Sequence, residues 1–212
     1  MSVIRLLSYL PIDLGQGQYK HSTKAKQIAW ENVPRARAGA TALDIGCGDG
    51  YWSEMLKSKG YAVTSIDIPN DHYPNVDADA PYAHMIEMNA NEKLALPGAS
   101  FDIVWSTEVV EHLTGYRTTL AEIQRLLKPG GQAVLTTPNS YFWLHYFLKL
   151  FGMRNEDWQN EGHVNFFSID DIKTFFPSLK MYGYFFYLPL MKFRISRGIS
   201  LLSPSFVIIY KK

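Results

Sequence analysis

A short apolar run that breaks off in clustered glycines sets the terms for this chain: Leu43-Asp44-Ile45-Gly46-Cys47-Gly48-Asp49-Gly50. Glycines permit a sharp turn and let a ligand come close to the backbone. Tyr51–Lys59 then reads as a helix with Trp52, Met55 and Leu56 on one face, and Gly60 stands where a helix-ending glycine belongs. The free N–H groups of such a helix point at whatever fills the turn. Ala62–Asp67 is a second strand-like run, and Asp67 closes it at the distance where an acid meets ribose hydroxyls. A carboxylate has two acceptor oxygens and can take both hydroxyls of a ribose. The plainer readings are an ordinary tight turn and a solvated loop acid. A nicotinamide dinucleotide calls for G-x-G-x-x-G, whereas this loop is one residue shorter and runs into the bulky Tyr51-Trp52 pair. No Lys-Ser/Thr follows the glycines, which excludes a P-loop.

The same rhythm continues downstream. His84–Met88 is a weaker strand candidate, and Phe101–Ser106 a strong one entered through Pro97-Gly98-Ala99-Ser100. Leu113, Tyr116, Leu120, Ile123 and Leu127 are spaced 3, 4, 3 and 4 apart, an amphipathic helix that Pro129-Gly130-Gly131 ends. Ala133–Thr137 is a strand stopped by Pro138. Ser168-Ile169-Asp170-Asp171 opens a helix with a capping-box pattern, an Asp replacing the usual Glu. Tyr182–Tyr187 and Phe206–Tyr210 supply the last strands. Strands joined by helices predict a doubly wound α/β fold, a mostly parallel sheet covered on both faces with right-handed crossovers. Ligands of such sheets sit outside the C-terminal ends of the strands, so the loops after Ile45, Asp67, Met88, Ser106 and Thr137 matter most.

Composition narrows the class. At 212 residues, without repeats or low-complexity linkers, the chain reads as a single domain. Hydrophobic residues are 47% and charged residues 19%, enough to bury a full core. Lys plus Arg number 21 against 20 Asp plus Glu, so no basic field exists for general nucleic-acid binding. One cysteine, Cys47, allows no intrachain disulfide and fits a reducing, cytoplasmic setting. Met1–Leu10 carries Arg5 within its apolar run and lacks the marks of a secretory leader. No stretch approaches the roughly 18 apolar residues of a membrane span.

Four segments in order, Leu43–Gly50, then Asp67, then Phe101-Asp102-Ile103-Val104, then Leu127-Lys128-Pro129-Gly130-Gly131, resemble the class I S-adenosylmethionine-dependent methyltransferases over roughly residues 40–175. The likeness is to the ubiquinone-type O-methyltransferase group in particular. It implies a Rossmann-like sheet of seven strands whose last, Phe206–Tyr210, is antiparallel. It implies that Gly46, Gly48 and the Cys47 backbone hold the aminocarboxypropyl part of the cofactor, with Asp44 bracing the loop and Asp67 on the ribose. Asn89-Ala90 is the nearest match to the pair that meets the adenine, and Thr107 completes the expected cofactor set. Residues 1–38 are then a helical cover, 39–140 the cofactor-binding core, and 141–212 the substrate-side lid with the last strands.

Ser106-Thr107-Glu108-Val109-Val110-Glu111-His112 follows the fourth strand. On a helical turn positions i, i+3 and i+4 share one face, so Glu108, Glu111 and His112 can converge. Two carboxylates and an imidazole suit a divalent ion. Equally, an acid at a helix start offsets the macrodipole, and His112 can serve as a general base. Glu161-Gly162-His163 comes later, just before a helix. By resemblance to the ubiquinone-type and small-RNA 2′-O-methyltransferases, Glu108, Glu111, His112 and His163 match a set that binds Mg²⁺ or another divalent metal, with His112 and Glu111 as the catalytic pair.

Tyr141–Phe151 is apolar and aromatic, and as a helix it places Trp143, Phe147, Leu150 and Phe151 along one side. It reads either as a buried packing helix or as a surface for lipid or a hydrophobic substrate. Tyr184–Met191 followed by Lys192, Arg194 and Arg197 repeats the theme, giving peripheral membrane contact through 141–151 and 184–197 as an expectation. The Leu14–His21 loop, with Tyr19 and His21, precedes a helix carrying Ile28 and Trp30; in similar proteins such a segment folds over the cofactor. The leading expectation is an O-methyltransferase acting on a small or a lipid- or glycan-linked hydroxyl. An NAD(P)-dependent oxidoreductase and a catalytically inactive, membrane-surface version of the methyltransferase fold are the alternatives.

Overall fold

The computed structural model of the chain describes residues 21, 23–68, 85–150, 152, 162–176, 178–188 and 191–212. Tyr19, His84, Phe151, Glu161 and Pro189-Leu190, singled out above, lie outside the described residues. The elements in chain order are α1 (Lys24–Glu31), β1 (Thr41–Ile45), α2 (Tyr51–Ser58), β2 (Ala62–Asp67), β3 (Met85–Glu87) and β4 (Phe101–Thr107). A 3-10 turn (Val110–His112) follows, then α3 (Tyr116–Leu126), β5 (Leu127–Pro138), α4 (Trp143–Lys149) and α5 (Ile169–Phe175). Last come β6 (Leu179–Leu188), β7 (Met191–Ile195), α6 (Ile199–Leu202) and β8 (Ser205–Lys211).

The strands form one sheet in the order β3-β2-β1-β4-β5-β8-β6-β7. Strands β1 to β5 pair in parallel, and β8 runs antiparallel to both β5 and β6. The sequence reading expected seven strands; the described residues show eight. The addition is β7, antiparallel to β6 at the sheet edge. Its sequence, Met-Lys-Phe-Arg-Ile, alternates apolar and basic residues, the period of a strand covered on one face. Lys192 and Arg194 also guard an otherwise open edge against strand pairing.

The period of two divides the core. Leu43, Ile45, Val104, Leu135, Phe206 and Ile208 turn to the face covered by α3 and α5, through Leu120, Ile123, Leu126, Ile172 and Phe176. Ala42, Ile103, Trp105, Val134, Val207 and Ile209 turn to the other, under Ala25, Ile28 and Ala29 of α1 and Trp52 and Leu56 of α2. Several boundaries differ from the sequence reading, two of them for a visible local reason. The helix starts at Tyr116, because Gly115 N–H is taken by Asn91 Oδ1 at 2.8 Å and the chain before it is pinned there. Strand β5 starts at Leu127, and Pro129-Gly130-Gly131 is an irregularity inside it. The register passes from Phe101 opposite Leu127 to Ile103 opposite Gln132, and Gly130 (φ 78°) donates its N–H to Lys212 O at 2.9 Å.

Helix α5 has the capping box its sequence predicts. Asp171 N–H donates to Ser168 Oγ at 3.2 Å, and Asp171 Oδ2 accepts Ser168 N–H at 2.8 Å. Helix α4 is largely uncovered: Trp143, Tyr146 and Phe147 are exposed, and Leu150 just beyond its end is 81% exposed. Phe142, just before it, is fully buried. No helix of the described residues is long and apolar enough to cross a membrane.

Candidate active site

Strands β1, β2, β4 and β5 all end at one edge of the sheet, and the candidate residues gather there. Gly46 and Gly48 have φ of 72° and 53°, the left-handed region that glycine enters freely. A Cβ on Gly46 would collide with the Val109 side chain, so the turn lies hard against the loop after β4. The Ile66 carbonyl of β2 accepts N–H bonds from Gly46 (2.9 Å) and Cys47 (3.2 Å). Gly48 N–H donates to Asp67 Oδ2 at 2.7 Å, and Ile68 N–H to Asp67 Oδ1 at 2.7 Å. Each carboxylate oxygen has a second lone pair, so Asp67 keeps acceptor capacity for two hydroxyls.

Asp44 lies beneath this turn with 1% exposure and accepts the Ser53 hydroxyl at 2.6 Å; Ser53 in turn meets the Ser65 hydroxyl at 2.7 Å. Burial pushes the Asp44 carboxyl up to about 7, the Ser53 hydrogen bond works against it, and the charges of Asp67 and Asp49 push the same way as burial. Burial likewise drives the Cys47 thiol far above its ordinary value, so it is an inert part of the turn. From the N-terminal side His21 reaches the loop, its Nε2 2.9 Å from Asp49 Oδ2 and its ring stacked on Tyr51 with centroids 4.1 Å apart.

Asn89 follows β3, but its side chain closes its own turn. Oδ1 accepts from Asn91 N–H and Nδ2, both at 3.0 Å, and Nδ2 donates to Glu92 Oε1 at 3.1 Å. Ala90 is buried, and its carbonyl accepts the Thr119 hydroxyl at 2.6 Å. Thr107 ends β4, level with Thr136 of β5.

After Thr107 the chain does not enter an α-helix. Glu108 has φ of 59°, and only Val110–His112 form a 3-10 turn. The i, i+3, i+4 face expected from the sequence is therefore absent. Glu111, His112 and His163 offer ligand atoms all within 4.8 Å of one another. Glu108 stands outside that group, and its Oε1 accepts the Thr136 hydroxyl at 2.7 Å. The His112 and His163 rings meet edge to face with centroids 4.7 Å apart. Gly162 O lies 2.9 Å from His112 Nδ1, so Nδ1 is the donor of that bond and Nε2 takes no part in it.

Glu111 is 1% exposed; Oε2 accepts the Thr137 hydroxyl at 3.2 Å, while Oε1 is buried with no partner. Burial first, then the charge of Glu108, pushes its carboxyl well up from the ordinary range. Burial and the neighbouring His112 push His163 down to about 4, and its Nδ1 is also buried without a partner. One carboxyl group and two imidazoles thus bring ligand atoms within 4.8 Å of one another, and two polar atoms of the group lack a partner. That donor set fits a divalent cation.

Three polar residues escaped the sequence reading. Thr136 and Thr137 orient the two glutamates from the end of β5. Asn165 Nδ2 donates to Val110 O (3.1 Å) and Leu113 O (2.6 Å), on both sides of the 3-10 turn. The only local signal was a pair of hydroxyl residues where a strand meets the active edge.

Comparison with known proteins gives the family. Residues 18–178 match the model of a methyltransferase domain family, and the chain belongs to that family. A ubiquinone biosynthesis O-methyltransferase of Pseudomonas paraeruginosa is 32% identical over 133 residues, covering 56% of this chain and 53% of that protein. A probable S-adenosylmethionine-dependent methyltransferase of Mycolicibacterium smegmatis is 29% identical over 125 residues, covering 59% and 48%. The chain thus spans about half the length of the curated relatives it matches. Among solved structures, a SAM-dependent methyltransferase of Archaeoglobus fulgidus superposes with a TM-score of 0.65 at 20% identity, over 92% of this chain and 97% of that one. At that identity the likeness concerns the fold, which is the Rossmann-like class I architecture.

Proposed function

We propose that the chain is an S-adenosylmethionine-dependent O-methyltransferase acting on a small or a lipid- or glycan-linked hydroxyl. One observation carries the cofactor half: Gly48 N–H bonded to Asp67 joins a side-chain-free turn and a hydroxyl-accepting acid into one cradle. Residues 39–140 hold the cofactor in this reading, His21 reaches the glycine turn through Asp49, and the acceptor lies on the side of the segments after 141. Gly46, Cys47 and Gly48 bind the amino-acid end and Asp67 the ribose. Asp44 braces the turn from below. Ala90 and Asn89 line the adenine end, and Thr107 closes the floor. The nicotinamide alternative has no support in the family match, and an inactive fold has no need of the intact cradle.

S-adenosylmethionine supplies a methyl already activated by its sulfonium, and a divalent ion would supply Lewis acidity toward the acceptor oxygen. The chain itself must hold the acceptor and manage its proton. Glu111, His112 and His163 would hold the ion, and Glu108 lies near enough to bias the charge of Glu111. His112 Nε2, which takes no part in the bond to Gly162, is the alternative acceptor for the hydroxyl proton. Oxygen is the acceptor class because the relatives named above include an O-methyltransferase.

The aromatic flank supports delivery of an apolar acceptor from a membrane surface. Trp143, Phe147 and Phe193 are exposed, with Lys149, Lys192 and Arg194 on the same segments. Co-sedimentation with anionic but not neutral liposomes is the expected result; equal recovery with both leaves the basic residues without a role.

The deciding experiment titrates the protein with S-adenosylhomocysteine and with NADH by calorimetry. It then follows radiolabelled methyl transfer into phenol, glycan and lipid pools with and without EDTA. Binding of the homocysteine product alone, and label in a hydroxyl-bearing pool, are expected. NADH binding in its place sinks the proposal, and turnover indifferent to chelation leaves His112 as a simple base.

A further inference from the structure

The segment 162–167 has no helix or strand of its own, yet it delivers His163 to Glu111 and His112. How it is held is visible in its bonds. Val164 and Asn165 both give their N–H groups to the Glu111 carbonyl, at 2.9 and 3.0 Å. The Asn165 side chain then spends its amide on Val110 O and Leu113 O, at 3.1 and 2.6 Å. Gly162 O closes the other end on His112 Nδ1 at 2.9 Å.

Exposure alternates along the strip: Val164 and Phe166 are exposed at 50% and 43%, while His163 and Asn165 are half-buried and Phe167 is 5% exposed. Phe167 is anchored on Tyr116 with ring centroids 5.1 Å apart. Asn165 sits between that anchor and His163. Its acceptors are Val110 O at the start of the 3-10 turn and Leu113 O just past its end, and each also takes a backbone N–H, from Leu113 and Tyr116.

We infer that Asn165 is a positioning residue: its carboxamide clamps the Val110–His112 turn and so fixes the meeting of His163 with Glu111 and His112. It touches neither cofactor nor acceptor in this scheme. The inference deepens the metal reading above, but the contact between the two imidazoles tests it without any ion.

The test uses the full chain with Asn165→Leu and Asn165→Asp. Both keep the branched four-atom outline of the asparagine side chain and both remove the two N–H donors; only one adds charge. Ring-to-ring nuclear Overhauser effects between His112 and His163, and hydrogen exchange at the Val164 and Asn165 positions, read the geometry. Both variants are expected to bind S-adenosylhomocysteine as the parent does, to lose the ring-to-ring effect, and to exchange those amides faster. Mn²⁺ affinity, measured by calorimetry, is expected to fall by about 10–100-fold, the range for a lost group that orients metal ligands. Persistence of the ring contact and of amide protection in both variants overturns the inference. A parent that binds no Mn²⁺ refutes the metal reading alone, because the ring contact still decides the role of Asn165. Should neither variant fold, the parent decides: rapid exchange of its Val164 and Asn165 amides overturns the clamp, and slow exchange supports it.

Discussion

Asp67 Oδ2 accepts the N–H of Gly48 at 2.7 Å, so the acid that ends β2 and the glycine turn that ends β1 are one hydrogen-bonded unit. A substitution at either residue therefore reaches the other. Asp67→Ala is expected to weaken S-adenosylhomocysteine binding by about 1–3 kcal/mol, the range for charge-assisted hydrogen bonds. Calorimetry against the parent protein measures it; an unchanged affinity rules out the ribose assignment.

Gly46 holds two restraints at once, a φ of 72° and the Val109 side chain pressed against it. Gly46→Ala is expected to lose about 2–5 kcal/mol, roughly 1–2 from the left-handed backbone and 1–3 from overpacking. Adding Val109→Ala relieves the overlap and leaves the backbone strain. Urea unfolding of the single and double variants separates the two, and a double variant no more stable than Gly46→Ala contradicts the packing half.

Asp44 titrates at about 7 when folded, against 3.8 for an unperturbed carboxyl, because burial disfavours its charge. A raised value means that the folded chain holds the proton longer than the unfolded one. This group's contribution is full below about pH 4 and is lost as pH rises to about 7, at roughly 1.4 kcal/mol per unit. His163, pushed down to about 4, tilts the same window the opposite way, so the parent must be compared with Asp44→Asn. The expected difference is a loss of stability from pH 4.5 to 7.5 in the parent that the variant lacks. Parallel pH profiles by urea denaturation would contradict it.

Glu122 is buried on α3 and ties the loop before β4 to the helix. Its Oε2 accepts from Leu94 N–H (3.0 Å) and Arg125 Nη2 (2.6 Å), and Arg125 also donates to Leu96 O and Leu94 O. The Arg125 hydrogen bond holds its carboxyl below the usual range. Glu122→Ala is expected to cost about 2–3 kcal/mol, since it strands one buried N–H and one guanidinium. Thermal unfolding measures this.

How far the residues themselves announce this molecule depends on the range of the interactions. Thr41–Ile45 and Ala62–Asp67 were legible to their ends, because a short apolar or β-branched run and a terminating glycine or acid are local signals. The Ser168 to Asp171 capping box was legible for the same reason. The edge strand β7 was not, since basic residues after an aromatic run look like surface until a partner strand is seen. Glu108 was grouped with Glu111 and His112 by helical spacing that the backbone does not follow.

The ordered glycines, Asp67 and the strand–helix alternation determined the fold class and marked the glycine turn from sequence alone, because each is written within a few residues of chain. Which acids and imidazoles meet was decided only by the tertiary structure. The positive φ at Glu108 took that side chain to Thr136, and the strip clamped by Asn165 brought His163 to a turn far away in sequence. Long-range contacts of this kind rest on hydrogen bonds to backbone carbonyls, which carry no residue-type signature of their own.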